Sequence, residues 1–589
     1  MGSVVFDAGD LAATTAEEVV RSVGIVLEEP QQLRRTRYDT FDARLRRRGL
    51  QLEARARDAD AHALRVTGDN GPPAQLFLAM ALPADAPLAL ARLPRGPLRS
   101  RLQAAAGERA VLPQITVTSQ RRSGTVYADG IPQAVVHLDT ELRVTAPRTV
   151  PRVHVSGVPT GPQLPDRGPT GRWQARGDAA ASPDGGGLAT TIEVEALPGR
   201  TTSAKALRRQ LSEALATAVE ASAAATSDPR AEPRPAGQVD DARRHTPRQG
   251  DSLSLAAAAS GVDLRGWRGP VRPDLDRTAP AIIGVRAVLR SFAGGLDANW
   301  QGAISHTDDE FLHDLRIAVR QTRSLLAQAR RVLPSEVRRE QRAAFRWLGT
   351  ITSPARDLDV YIAGWGELTS LLDPVDAATL EPVLAHLAGQ RAEAHGEVAR
   401  ALGSPHAHQL RTTWRAWLDL PDDEVTGGKH AAQPLGVAMG ARIQAAQQQV
   451  LDRGRRIDAR SPATELHELR KDGKRLRYLL EGFGHLGGKK RSKATIAHLK
   501  QLQDNLGAFQ DAEVQADRLR TALAELAEAA ESHADASLPP GTLQAGERLA
   551  TALDQRREDA RTAFDTRFAA YDRKAARRNL RELVERMSR

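Results

Sequence analysis

One helical phrase occurs twice in this chain, and few folds accommodate such a duplication. The first copy runs His313-Asp314-Leu315-Arg316-Ile317-Ala318-Val319-Arg320-Gln321-Thr322-Arg323. The second runs His467-Glu468-Leu469-Arg470-Lys471-Asp472-Gly473-Lys474-Arg475-Leu476-Arg477. Each places His, a cation, a cation and Arg at i, i+3, i+7 and i+10. At about 100° per residue these positions share an arc of roughly 80°. At about 1.5 Å per residue the row is roughly 15 Å long. The opposite face is apolar in both copies: Leu315, Val319, Leu326 and Ala329, then Leu469, Leu476, Leu480 and Phe483. Each copy therefore predicts an amphipathic helix with its back in a core and a ladder of cations in front. A linear polyanion suits such a ladder.

The duplication extends further. Arg356-Asp357-Leu358-Asp359-Val360 matches Gln510-Asp511-Ala512-Glu513-Val514, and in both halves the aspartate follows the histidine by 44 residues. The halves are offset by 154 residues. Equal spacing over two separate motifs predicts an internal repeat, hence two packed helical bundles related by a pseudo-twofold axis. Helical periodicity runs from about 276 to 589, broken at Pro334, Ser353-Pro354, Pro374, Gly403–Pro405, Gly427-Gly428, Gly487-Gly488 and Pro539-Pro540.

A chain of 589 residues is too long for one core. Its net charge of +10 favours an anionic partner. Six of the nine lysines lie between Lys471 and Lys500, beside the second copy. The absence of cysteine excludes disulfides, thiolate metal sites and a cysteine nucleophile. With no secretory-type start and no apolar run of membrane length, the expectation is a cytoplasmic protein without membrane association.

The N-terminal region, about 1–220, predicts a mixed antiparallel α+β domain. Strand candidates are Ala110–Ser119, Gly124–Ala128, Ala134–Leu138, Glu141–Thr145 and Leu188–Ala196, and Thr14–Leu27 and Ser203–Ala223 read as helices. Residues 147–187 are rich in Pro, Gly and Asp and predict a disordered insertion. Residues 221–275 read as a flexible linker, with Trp267 as a buried anchor or a docking residue.

Within this region Arg37-Tyr38-Asp39-Thr40, the Leu45 to Gly49 turn and the following Leu52–Arg57 segment resemble the CYTH family of triphosphate tunnel enzymes. His62–Val66, Arg121-Arg122 and Thr191-Ile192-Glu193-Val194-Glu195 continue that resemblance. It implies an antiparallel β-tunnel or barrel, with Arg55, Arg65, Arg121 and Arg122 as phosphate ligands. Glu193 and Glu195 project from one side of a strand and can hold Mg²⁺ or Mn²⁺ through oxygen. The family's opening Glu-x-Glu-x-Lys is absent: Val4-Val5-Phe6-Asp7-Ala8-Gly9-Asp10 stands in its place, and Glu53 replaces an expected arginine. Phosphoryl transfer depends on charge neutralisation and positioning, so this loss argues against a triphosphatase.

The paired helices, the Arg-Asp-x-Asp-Val segment and Leu502-Gln503-Asp504-Asn505-Leu506-Gly507 resemble the CHAD domain over about 280–580. The expected helical domain spans 276–589, with halves of about 276–430 and 431–589. The resemblance implies binding of inorganic polyphosphate and targeting to polyphosphate granules. The residues assigned to that role are His313, Arg316, Arg320, Arg323, Arg356, His467, Arg470, Lys474, Arg477, Lys489, Lys490, Lys493 and Lys500. Gln510 stands where that family has His or Arg. No cofactor is expected for polyphosphate binding. The alternative is a metal-dependent triphosphatase or polyphosphatase that uses Mg²⁺ or Mn²⁺ in the CYTH-like domain. Nucleic acid is expected only as a non-specific competitor, since aromatics are 4% of the chain and base-stacking surfaces are scarce.

Overall fold

The computed structural model describes residues 4–8, 11–56, 62–68, 71–78, 86–145, 190–197, 200–226, 248–249, 252–260, 262–532 and 538–589. The chain divides into two compact units, Met1–Arg268 and Gly269–Arg589.

The first unit is built on one antiparallel sheet. Its strands are β1 (Val4–Asp7), β2 (Gln31–Thr40), β3 (Leu50–Ala56), β4 (His62–Gly68), β5 (Gly71–Leu78), β6 (Val111–Ala128), β7 (Ile131–Thr145), β8 (Thr190–Ala196) and β9 (Arg248–Gln249). Their order is β5-β4-β3-β2-β6-β7-β8-β1-β9. The strands expected at 110–119 and 124–128 are one strand, β6, and those at 134–138 and 141–145 are one strand, β7. Register shifts between Thr118 and Gln120 and between Val126 and Tyr127 interrupt the alternation that would have read as a single strand. The helices are α1 (Ala13–Ser22), α2 (Arg44–Arg47), α3 (Pro97–Ala106), α4 (Thr201–Thr226) and α5 (Ser252–Ala259).

Alternation fixes what each face of the sheet carries. On one face Phe6, Val136, Leu138, Ile192 and Val194 pack against residues of α1 and α4. On that same face Leu52, Ala54, Leu64 and Val66 pack against Leu45, Leu102 and Ala105. The other face carries Arg35, Arg37, Glu53, Arg55, Arg65, Arg121, His137, Asp139, Glu193 and Glu195, as the cross-strand pairings require. Arg65 of β4 is ion-paired to Glu195 of β8, although four strands lie between them in the sheet. The sheet therefore curls around its charged face, with α1 to α4 outside.

The stretch expected as linker contributes to this unit. β9 pairs with β1. Leu253, Leu255, Ala256 and Ala257 of α5 are buried against Val5, Ile115 and Val117 on the concave face. Trp267 is buried, stacks on Phe41 at 6.3 Å and donates its backbone N–H to the Phe41 carbonyl at 2.9 Å. It is an anchor, not an exposed docking residue. The insertion expected at 147–187 and the linker core 227–247 lie outside the described residues.

The second unit is helical: α6 (Ala281–Ile304), α7 (Asp309–Gln328), α8 (Ser335–Ala363), α9 (Trp365–Thr369), α10 (Pro374–Thr379), α11 (Glu381–Leu402) and α12 (Pro405–Asp419), then α13 (Leu435–Gly454), α14 (Ala463–Phe483), α15 (Lys489–Ser532), α16 (Thr542–Thr562), α17 (Phe564–Tyr571) and α18 (Lys574–Ser588). α6, α7 and α8 begin 154 residues before α13, α14 and α15. The axis between the halves can be located from equivalent residues that meet. Pro280 bridges Pro434. Ala281 N–H donates to Gln433 O and Leu435 N–H donates to Ala279 O, both at 2.8 Å, a pair that the 154-residue offset interchanges. Tyr361 donates its hydroxyl to the carbonyl of Gln515, its own equivalent, at 3.2 Å. Gly284 permits this approach, because a Cβ there would collide with the Leu435 side chain.

Ser353-Pro354, expected as a helix break, lies inside α8. Proline removes one backbone donor and strains the preceding turn. The neighbouring Gly349 carbonyl accepts from Ser353 Oγ at 2.8 Å and from Arg316 Nη1 at 3.3 Å.

Candidate polyanion-binding site

The cation ladders lie on α7 and α14, whose apolar backs are buried as their periodicity predicts: Leu315, Val319, Leu326, Leu469, Leu476, Leu480 and Phe483 are all at most 1% exposed. α7 is started by Asp308, whose carboxylate accepts from the backbone N–H groups of Glu310 and Phe311 at 3.1 and 3.2 Å. The two ladder helices pack on one another across the axis.

Each ladder faces a second stripe. On α8, Arg342, Arg346, Gly349, Ser353 and Arg356 recur at helical spacing along one face. Arg316 donates to Thr352 Oγ1 and Ser353 Oγ, both at 3.0 Å. Arg323 lies over Gly349, where a Cβ would strike its guanidinium. Arg342 and Arg346 are exposed members of this surface that the motif reading missed. The same i, i+4, i+7 spacing that marked α7 would have found them. On α15, Lys489, Lys493, Lys500, Asp504 and Asp511 fall within an arc of about 60° at ~100° per residue, whereas Lys490 lies off it.

The electrostatics mark crowding by like charge. Burial, followed by the neighbouring Arg470, Arg320 and Arg477, pushes Lys474 down to about 8. Arg320 belongs to α7 and Lys474 to α14, two helices that pack together, so each ladder feels the charge of the other. Burial pushes Arg316 down to about 10, with Arg320, Arg356 and Arg323 adding to it against the attraction of Asp357. Burial lowers Arg323 as well, helped by Arg346 and Arg342. His313 is lowered by burial and then by Arg356, which favours its neutral imidazole. Among the described residues no carboxylate stands within 4 Å of Arg316, Arg320, Arg323 or Lys474.

The second half is more neutralised. His467 Nε2 lies 2.7 Å from Glu513, Arg470 lies 3.5 Å from Asp511 and Arg477 lies 2.7 Å from Glu481. Lys500 pairs with Asp504 at 2.7 Å. Lys489, Lys490 and Lys493 are exposed. Arg356 reaches the Asp309 carbonyl at 3.5 Å and the Asp359 carboxylate at 3.9 Å. A cavity of about 730 Å³ borders α15 at Asp504 and Asp511 and is lined by both acids and arginines. The ladder itself is an open surface, as an extended ligand requires.

The concave face of the first unit is different. Arg121 donates to Asp139 through Nε at 2.8 Å and Nη2 at 2.6 Å, and to Glu193 at 3.0 Å. Arg35 reaches Asp139 at 3.2 Å and donates to Ser252 Oγ of α5 at 2.5 Å. Arg55 pairs with Glu53 at 2.6 Å. Burial pushes the Glu193 carboxyl up, but Arg121 and Arg35 outweigh it and hold it below its usual range. Glu195 is held down at about 2 by His137 and then Arg65. Arg55, Arg65, Arg121, Glu193 and Glu195 thus share the face on which the sequence placed them. Arg122 does not. It projects from the other face, donating to Glu17 at 2.5 Å and to the Glu28 carbonyl at 2.9 Å, because adjacent strand residues point to opposite sides.

These residues do not suit Mg²⁺ or Mn²⁺. Among the described residues three donors do not converge on one point in this unit. Glu193 and Glu195 are each committed to guanidinium groups that a cation would have to displace. The expected metal site at Glu193 and Glu195 is therefore replaced by internal ion pairs.

Among the described residues no helix is long and apolar enough to cross a membrane. Residues 287–520 match the CHAD domain family model. No curated protein matches the chain. Solved structures similar to it include the CHAD domain of the plant Ricinus communis, at 26% identity over 53% of this chain and 96% of that one, with a TM-score of 0.39. PptA from Streptomyces chartreusis is 19% identical over 49% of this chain and 100% of that one, with a TM-score of 0.36. A candidate adenylate cyclase from Bacillus halodurans is 13% identical over 37% of this chain and 92% of that one, with a TM-score of 0.22. The sequence match places a CHAD domain at residues 287–520, within the helical unit that carries both ladders.

Proposed function

We propose that this protein binds inorganic polyphosphate along the paired ladders of its helical unit. The observation that supports this reading is the packing of α7 on α14, which sets the equivalent cations Arg320 and Lys474 in one electrostatic neighbourhood, with Arg316, Arg320, Arg323 and Lys474 lacking a carboxylate within 4 Å among the described residues. Like charges held together are costly in the free protein, and a polyphosphate chain removes that cost by placing an oxyanion between them. Arginine forks grip phosphate oxygens in a bidentate manner, which suits the predominance of Arg in the first ladder. The CHAD match supports the same ligand. In this reading the protein works in the cytoplasm and gathers on polyphosphate granules, needs no cofactor to bind and performs no hydrolysis. The curled sheet is then a tunnel whose cations are satisfied internally.

Titration of the full chain with long-chain polyphosphate and with single-stranded DNA at matched salt tests this. Polyphosphate is expected to bind much more tightly, and equal affinities would overturn the assignment. Phosphate release from tripolyphosphate with Mg²⁺ or Mn²⁺ is expected at background. Activity that vanishes in Glu193→Ala would restore the enzymatic alternative.

A further inference from the structure

A second group of side chains in the helical unit is unrelated to the ladders. His306, before α7, and Asp309, in its first turn, meet Asp359 of α8 and His395 of α11, with one potential donor atom from each within 4.8 Å of all the others. Asp359 and His395 are 2% and 4% exposed. His395 Nε2 lies 2.8 Å from Asp359 Oδ1. His306 Nε2 lies 3.2 Å from Asp309 Oδ1. The two imidazoles stack at 3.5 Å with 11° between their planes.

Two further observations distinguish the cluster from a set of ion pairs. Buried polar atoms are left over: Asp359 Oδ2 and His395 Nδ1 have no hydrogen-bond partner, and Arg356 Nη1 stands 3.9 Å from Asp359 Oδ2. Such atoms carry a desolvation cost that a bound group can relieve. The centre is also filled by a side chain with room to leave. Arg391 donates Nε to Asp359 Oδ1 at 2.7 Å and Nη2 to Asp309 Oδ1, and its Nη2 lies 3.3 Å from His306 Nε2. One guanidinium thus touches three of the four potential ligands. Its side chain is 26% exposed and borders a cavity of about 300 Å³, kept open by Ala388, Ala392, Gly396 and Ala399.

We propose that His306, Asp309, Asp359 and His395 form a binding site for a divalent transition-metal ion of the Zn²⁺ class, and that Arg391 holds the place of that ion in its absence. Two imidazoles and two carboxylates, without thiolate, are a donor set that Zn²⁺ and Co²⁺ accept in four-coordinate geometry. Donors bound at about 2.0–2.2 Å must draw in from their present spread, and the two stacked imidazoles must tilt apart so that each aims a ring nitrogen at the ion, once the guanidinium swings into the cavity. Among the described residues the site occurs once. At the 154-residue offset His306 and Asp309 become Arg460 and Ala463, and Glu513, the equivalent of Asp359, faces His467 instead. The two halves therefore share the ladder but not this cluster.

The test uses the untagged full chain, stripped with chelator and titrated with Co²⁺ and then Zn²⁺. Expected are one saturable equivalent of Co²⁺ with visible ligand-field bands, displacement by Zn²⁺, and a rise in Tm on loading. His306→Ala, at a partly exposed position that leaves the fold intact by circular dichroism, removes the bands. Arg391→Met removes the competing cation and tightens binding. No saturable binding, bands that survive His306→Ala, or an Arg391→Met protein that loses Tm and gains no affinity would each overturn the proposal, the last by showing Arg391 to be the permanent counter-ion.

Discussion

The two units hold the same kinds of side chain in opposite states. On the concave sheet face Arg35, Arg55, Arg65 and Arg121 each have a carboxylate partner, and the acids are held at or below their usual range by those partners. On the ladder helices Arg316, Arg320, Arg323 and Lys474 crowd one another, and burial and like charge lower Arg316 and Lys474. An arginine-rich surface is therefore not itself a phosphate site. What distinguishes the two is whether the fold has already supplied the anion. Removing one partner from a buried pair leaves a charge stranded, whereas adding an anion to an uncompensated row relieves it.

The largest expected effect breaks the ladder side of this contrast. Replacing Arg316, Arg320, Arg470 and Lys474 together by Ala lowers polyphosphate affinity by orders of magnitude, measured by titration calorimetry. Far-UV circular dichroism stays helical, because the apolar backs of α7 and α14, which hold these helices in the core, are untouched. Next comes the tunnel side. Asp139→Asn leaves the buried Arg35 and Arg121 with Glu193 as their one remaining shared carboxylate, one negative charge for two positive ones, and costs about 3 kcal/mol. This is read as a lowered melting transition, while polyphosphate affinity is retained.

Salt sharpens the comparison. Ladder binding weakens steeply between low and high ionic strength, because exposed charges are screened beyond a Debye length of about 8–10 Å near physiological salt. The Asp139 network, buried and internally paired, changes little in stability over the same range.

The smallest effect is on pH. Lys474 has a free-state value of about 8, and a bound polyanion favours its charged form. Its contribution to affinity is complete below pH 8 and is lost as pH rises above 8 towards the value it has in the complex. Lys474→Arg removes that decline, and a decline that persisted would point to another group.

Much of the ladder was legible in the sequence, because its information is local: helical spacing, an apolar back and a 44-residue interval that recurs. The tunnel's state was not. Arg121 and Glu193 are 72 residues apart, and only strand register reveals that they touch. The sequence reading put Arg122 in the tunnel with Arg121, although the two-residue period of a strand allows only one of them there. α5 reads as part of a linker because its run of Ala and Leu has no polar face to mark it. Its packing partners Val5, Ile115 and Val117 are far away in the chain. Pro354 suggested a break, yet α8 runs through it.

The central claim is that two ladders act as one groove. Calorimetric titration of one defined polyphosphate length into three proteins tests it most directly: the unaltered chain, Arg316→Ala/Arg320→Ala, and Arg470→Ala/Lys474→Ala. One groove predicts a single site per chain in all three and a weaker affinity in each variant. Two sites that fall to one at unchanged affinity would contradict it.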